Sequence, residues 1–184
     1  MKPNAPPPWN PDRLDMRAFA RAEGHLSAQE TIADFERLAA ECHPGETPDG
    51  PVRWRAHAEM RSSGAGAEPQ PWLHLEADVT VPVTCQRCLG PVPVALLVDR
   101  WFRFVADEAT AEREDEDSDE DVLALEPRPS LRALVEDECL MELPLVPMHD
   151  TCPAPVRLQA GDETGVSEER PNPFAQLQRL RRGD

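Results

Sequence analysis

The sequence predicts an α+β fold in which an antiparallel β-meander packs against two or three helices. Segments 52–60 and 72–83 alternate between apolar and polar residues, as strands with one buried face do. Other segments repeat apolar residues at helical spacing. A chain of 184 residues suits one domain, which we expect over 15–158. A flexible Pro-rich N-terminus (1–14) should precede it and an irregular C-terminal tail (159–184) should follow it.

Two helices are predicted near the N-terminus from capping residues and apolar spacing. A short helix is expected over 16–22, after Asp15. Ser27 and Glu30 form an S-x-x-E pattern, which predicts a capping box with a longer helix behind it. The apolar face of that helix would consist of Ile32, Phe35, Leu38, Ala39 and Cys42. The turn-forming segment 43–51 should end it.

Three strands are predicted next along the chain. The alternating segments 52–60 and 72–83 supply the first two, separated by a polar hairpin loop. A third strand over 92–105 returns after the turn CQRCLGP at 85–91. Because each strand follows the previous one through a short connection, we expect consecutive antiparallel pairs.

A last helix is predicted behind Ser130, which can cap it, and Pro144 should end it. Its apolar face would consist of Leu131, Leu134, Val135 and Cys139. Glu136, Asp137 and Glu138 lie beside this face. As general acids they would need a pocket and a nucleophile, and the sequence indicates neither. It also lacks the nucleophile elbow, P-loop, dinucleotide-binding and HExxH motifs of common enzyme classes.

The chain is strongly acidic, with a formal net charge of −16, which disfavours broad electrostatic binding of nucleic acid. Much of this charge lies in 106–127, where we expect a disordered loop that either attracts basic partners or serves as a solvated linker. No apolar run reaches the roughly 18 residues of a membrane span. The N-terminal residues do not resemble a secretory signal, so we expect a cytoplasmic protein.

The five cysteines include one CxxC pair, Cys85 and Cys88, which can bind a metal, exchange disulfides or pack. Redox CxxC motifs stand at a helix start, whereas Leu89 and a Gly-Pro turn follow here, so disulfide exchange is disfavoured. Zinc needs four ligands, and His149 and Cys152, also three apart, can supply the other two. The alternative is four reduced side chains without metal near the edge of the core.

The C-terminal tail has an apolar stripe and a basic end. Phe174, Leu177 and Leu180 recur at helical spacing. The basic side chains beside this stripe are Arg179, Arg181 and Arg182. Such a segment can bind a partner groove or RNA phosphates. The alternative is a short helix packed on its own sheet, with the arginines at its C-terminus.

Three motifs occur together and in order: TCQRCLGPV, LVEDECLMELPLVPMHDTC and PNPFAQLQRL. With these motifs the chain resembles the YceD family of large ribosomal RNA subunit accumulation proteins over roughly residues 15–182. The matching positions are Cys85, Cys88, Glu136, Asp137, Glu138, Pro144, Pro147, His149, Cys152, Pro171, Asn172, Pro173 and Phe174.

The resemblance implies a cytoplasmic, non-enzymatic factor that supports accumulation of large-subunit ribosomal RNA. Its expected partners are that RNA or a precursor particle and basic ribosomal proteins, with no membrane and no small-molecule substrate. Two other functions stay open at this point. One is a zinc-dependent or redox enzyme, and the other is an acidic protein-interaction adaptor unrelated to ribosomes.

Overall fold

The computed structural model describes residues 9–62, 68–125 and 128–153, which contain one five-stranded sheet. The strands are β1 (His25–Thr31), β2 (Pro51–Arg61), β3 (Gln70–Thr84), β4 (Pro91–Val105) and β5 (Asp121–Ala124). They lie side by side in chain order; β1 to β4 are antiparallel, and β5 is parallel to β4. The α+β class and the three predicted strands are confirmed.

The described residues contain four α-helices, one more than the two or three that the sequence predicts. They are α1 (Met16–Arg21), α2 (Glu36–Ala40), α3 (Glu108–Asp115) and α4 (Leu131–Met141). The caps of α1 and α4 are as predicted: Asp15 accepts the Ala18 N–H at 2.9 Å, and Ser130 accepts the Ala133 N–H at 3.1 Å. None of the described helices combines the length and the apolar composition of a membrane span.

The main core lies on one face of the sheet, between the strands and helices α1, α2 and α4. Alternate residues of β2 and β3 point into it, as their period of two requires. Its fully buried members include Phe19, Leu38, Leu73, Leu75 and Val135. Helices α1, α2 and α4 therefore all lie on this one face of the sheet.

The capping box predicted at Ser27 and Glu30 is wrong, because these residues belong to strand β1. Pairing with β2 satisfies their backbone, and the Glu30 carboxylate accepts the Trp54 indole N–H at 2.8 Å. The cap lies one turn later, where Asp34 accepts the Thr31 N–H at 2.8 Å and a single turn of 3₁₀-helix begins. The predicted long helix is thereby divided into that turn and the short α2.

The N-terminal residues that the structure describes are not free, in contrast to the expected flexible segment 1–14. Leu14 is buried, and its N–H donates to the Pro129 carbonyl at 3.0 Å. Trp9 packs edge-on against Phe19 with ring centroids 5.3 Å apart. Apolar contact with α1 therefore orders residues 9–14. The predicted tail over 159–184 lies outside the described residues.

The described part of the acidic segment 106–127, which is 106–125, also differs from the predicted disordered loop, since it forms α3 and β5. The reason is Arg103, which is only 7% exposed and donates to Glu114 at 2.6 Å and to Glu120 at 2.7 Å. A second small core lies beside this cluster and consists of Val105, Ala111 and Val122. The buried Arg103 guanidinium thus offsets the repulsion among the carboxylates of this acidic segment.

Replacing Arg103 with Met should release α3 from the sheet, because Glu114 and Glu120 would face each other without a cation. We expect the free energy of unfolding to fall by about 2 kcal/mol. This is less than the cost of breaking a fully buried ion pair, because both carboxylates are partly solvated. Denaturant unfolding and hydrogen exchange of the α3 amides measure it. Arg113→Met is the control, because the Arg113 side chain is 66% exposed. Unchanged α3 protection in the Arg103 variant would contradict this account.

Candidate metal centre

The turn between β3 and β4 forms half of a compact cysteine cluster. The Cys85 N–H donates to the Gly90 carbonyl, and the Leu89 N–H donates to the Cys85 carbonyl, both at 2.9 Å. Leu89 adopts the left-handed conformation with φ of 61°, which costs a non-glycine residue about 1 kcal/mol or more. These contacts form a closed turn that contains Cys85 and Cys88.

The second half comes from the chain after α4. The Gln86 N–H donates to the Pro147 carbonyl at 2.9 Å, so this segment lies directly against the hairpin turn. The contact places His149 Nδ1 3.5 Å from Cys88 Sγ. Sixty residues separate Cys88 from His149 along the chain, and this backbone hydrogen bond helps to bring the two pairs together.

The structure brings all four predicted ligands into one cluster. The sulfur atoms of Cys85, Cys88 and Cys152 and one His149 nitrogen lie within 4.8 Å of one another. Tetrahedral zinc would separate two sulfurs by about 3.8 Å and a sulfur from a nitrogen by about 3.6 Å. The observed 3.5 Å between Cys88 Sγ and His149 Nδ1 already matches. A contraction of about 1 Å or less would complete the tetrahedron.

The electrostatics of the cluster favour a thiolate ligand. Burial raises the pKa of Cys85, but hydrogen bonds to the backbone of Cys88, His149 and Arg87 outweigh it and lower the pKa to about 5. Burial, together with contacts to Cys88 and Cys85, raises the pKa of Cys152. One thiolate beside further thiols and an imidazole is the kind of donor set that binds zinc.

The geometry disfavours disulfide exchange at Cys85. Cys85 is fully buried, so an incoming disulfide cannot reach its sulfur. The remaining cysteines lie outside the cluster. Cys139 packs in the core, as its place on the apolar stripe of α4 predicted, and burial raises its pKa to about 11. Burial likewise raises the pKa of Cys42.

The cluster and helix α4 lie in a region that matches one known family. The model described as Large ribosomal RNA subunit accumulation protein YceD matches residues 73–181, more than half of the 184. The chain belongs to the YceD family. No solved structure matches it. The YceD match includes all four candidate ligands but begins after β2, so that part of the sheet precedes the matched region.

The acidic YceD motif on α4 has a structural role that the sequence did not reveal. Glu136 Oε1 accepts the backbone N–H groups of Arg37 at 2.7 Å and Leu38 at 3.2 Å, which are free at the start of α2. Its Oε2 accepts the Arg37 guanidinium at 2.9 Å. Burial raises the pKa of Glu136, but these hydrogen bonds outweigh it and hold the pKa below its usual range. Glu136 thus anchors α2 to α4.

The next acid of this YceD motif is in a different environment. The Glu138 side chain is 4% exposed, and its nearest cation is Arg100, with Nε 3.9 Å from Oε2. Burial raises the pKa of Glu138, and nearby Asp121 adds to the effect. Asp137 instead points outward to Arg37 at 2.6 Å. Glu136 and Asp137 therefore share Arg37, whereas Glu138 lies towards Arg100, and the three acids do not converge on one point.

His43 supports the hairpin turn of the candidate centre from the end of α2, and no sequence pattern indicated it. Its N–H donates to the Pro82 carbonyl at 2.6 Å. The Gly45 N–H donates to its Nδ1 at 3.0 Å, so Nε2 carries the proton that reaches the Leu89 carbonyl at 3.2 Å. The YceD match starts beyond His43, whereas the turn that it supports lies within the match.

The predicted partner-binding residues of the tail lie outside the described residues. They are Phe174, Arg179, Arg181 and Arg182. The YceD match ends at residue 181 and so includes the first three. Their binding role stays a proposal.

Proposed function

We propose that this chain is a cytoplasmic, non-enzymatic factor that supports accumulation of large-subunit ribosomal RNA and assembly of the large ribosomal subunit. The observation that carries the proposal is membership of the family named for that accumulation. The four-ligand cluster supports a structural role, since four protein ligands leave no open position on a metal for catalysis.

The proposed metal is one zinc ion held by Cys85, Cys88, His149 and Cys152. Zinc supplies folding energy when its ligands come from distant parts of the chain. Here it would fasten the segment after α4 to the β3–β4 hairpin, beside the Gln86–Pro147 hydrogen bond.

The proposed partners are large-subunit RNA or its precursor particle and basic ribosomal proteins. The net charge of −16 supports attraction of basic proteins before they bind RNA. Phe174 and the arginines Arg179, Arg181 and Arg182 supply the proposed apolar and basic contacts in the tail. The two kinds of contact suit a factor that meets both RNA and protein during assembly.

Deletion of the gene should lower mature large-subunit RNA relative to small-subunit RNA, and the protein should sediment with large-subunit precursors more than with mature ribosomes. Sucrose gradients with RNA quantification measure both effects. Restoring the wild-type gene is the control. Unchanged subunit ratios at several growth temperatures would refute the proposal, and capture of partners unrelated to ribosomes would favour the adaptor function.

A further inference from the structure

The sheet face opposite the core, here called the outer face, is covered by helix at one end only. There α3 packs beside Arg103 and Val105. The described helices α1, α2 and α4 all pack on the core face. Along most of β1 to β4 the outer face is therefore bare within the residues that the structure describes.

Four aromatic side chains form a straight row across this face. His25 pairs with His57 across β1 and β2, His57 with His74 across β2 and β3, and His74 with Trp101 across β3 and β4. We call His25, His57, His74 and Trp101 the ring row. At about 4.8 Å between strands, the row extends over about 14 Å.

The rings are in mutual contact. His25 and His57 are stacked with centroids 5.4 Å apart, and His74 and Trp101 are stacked at 4.4 Å. His57 meets Trp101 edge-on at 5.4 Å, which joins the two stacks. The Arg61 guanidinium lies 3.9 Å from the centre of the Trp101 ring. These planar groups hold one another in place before any ligand arrives.

An open cleft lies at the β1 end of the ring row. Its volume is about 430 Å³, within the range of small-ligand sites. His25 and His57 line it together with Ser27, Arg55 and Glu76. His25 is exposed, so a planar ligand can extend its stack on His57. The Ser27 hydroxyl beside the rings can donate to or accept from a nucleobase edge, whereas the Arg55 guanidinium and the Glu76 carboxylate pair with each other.

The charges of the outer face are compensated within it. Its arginines pair with carboxylates of the same face: Arg53 with Asp78, Arg55 with Glu76 and Arg61 with Glu59. His74 contacts Asp99 at 2.7 Å. Three arginines therefore stand against four carboxylates, in a chain whose net charge is −16. The row therefore offers phosphates no net positive charge and no unpaired arginine, so a nucleic acid would have to bind here through its bases.

From these observations we infer that the ring row binds single-stranded RNA by stacking unpaired bases, with the phosphates turned away from the sheet. This inference rests on the proposed function and identifies a direct RNA contact for it. Aromatic side chains on a four-stranded sheet are a general means of stacking two or three unpaired bases. Duplex RNA cannot bind in this way, because its bases are already stacked.

Fluorescence anisotropy with the full chain and a labelled single-stranded RNA of about 12 nucleotides, of mixed sequence, tests the inference. Stacking on aromatic rings predicts that His25→Ala and Trp101→Ala each weaken binding about 5- to 100-fold. His57→Phe should bind nearly as well as wild type, because it keeps a ring. Arg53→Gln is the control: it lies on the same face outside the row and should change affinity less than about 3-fold. Binding should also fall only weakly with salt, since few phosphates are contacted.

The inference is overturned if the single strand does not bind, if a duplex competes equally well, or if His25→Ala binds like wild type. His25 is exposed on an edge strand, so this variant stays folded when Trp101→Ala does not. Capture of ribosomal proteins without any binding of naked RNA would overturn it too. The gene deletion is a separate test. If deletion lowers large-subunit RNA but the purified chain does not bind RNA, the proposed function is supported and the RNA-binding role of the ring row is refuted.

Discussion

Replacing Cys88 and Cys152 together with serine should abolish zinc binding and destabilise the domain by at least about 3 kcal/mol. Structural zinc supplies about 10–16 kcal/mol in peptides that fold around it, and this domain also has an apolar core of its own. Elemental analysis of untagged protein should find one zinc per wild-type chain and almost none in the variant. Thermal unfolding with and without chelator should then differ for the wild type only.

Cys42→Ser is the matched control for this experiment. Cys42 is half-buried like Cys88 and Cys152, but it lies outside the ligand cluster. Its replacement should leave the zinc content at one equivalent. Zinc well below one equivalent in the wild type, with melting unaffected by chelator, would mean that the cluster consists of reduced side chains without metal.

Replacing Glu136 with Ala should cost about 2–3 kcal/mol, since two backbone N–H groups of α2 and the Arg37 guanidinium lose their acceptor. Removing one partner of a buried pair costs about 3–5 kcal/mol, and the half-exposed Arg37 reduces this figure. Denaturant unfolding of the two proteins measures the difference.

The Glu136 contribution should also depend on pH in a defined direction. Its folded pKa lies below the usual value of 4.5, so the carboxylate stabilises the fold fully above that pH. This stability is lost progressively as the pH falls below about 4.5, where the carboxyl of the unfolded chain becomes protonated, and through the lower folded pKa. Glu136→Ala should therefore have a smaller loss of stability between pH 6 and 3 than the wild type.

Asp137→Asn is the control for both measurements. Asp137 contacts the same arginine from the same helix, but its side chain is 49% exposed, and exposed ion pairs contribute less than about 1 kcal/mol. Equal losses for the two substitutions would show that net charge near Arg37, and not the buried anchor, stabilises α2.

Local sequence patterns predicted the elements whose formation depends on neighbouring residues. The alternation in β2 and β3 and the caps Asp15 and Ser130 all operate within a few residues, so they can be read directly. The capping box predicted at Ser27 and Glu30 was wrong because the same residues are also compatible with a strand. Pairing with β2 decided between them, and that partner lies more than 20 residues away.

The candidate metal centre was predictable in its residue types but not in its assembly. CxxC and HxxC spacing identified Cys85, Cys88, His149 and Cys152 as ligands of the kind that zinc prefers. Their meeting depends on a backbone hydrogen bond from Gln86 to Pro147, which no spacing rule encodes. The support that His43 gives to the turn was unpredictable for the same reason. His43 binds the backbone carbonyls of Pro82 and Leu89, and no sequence pattern encodes such contacts.

By itself, the sequence determined the fold class, the main strands, two helix starts and the set of candidate ligands. Only the tertiary structure decided that Arg103 orders the acidic segment, that Glu136 caps a helix about 100 residues away, and that three histidines and Trp101 form one row. The physical reason is strand register and burial. A shift of one residue in pairing would move every side chain of a strand to the other face, so the register between distant strands selects which side chains meet.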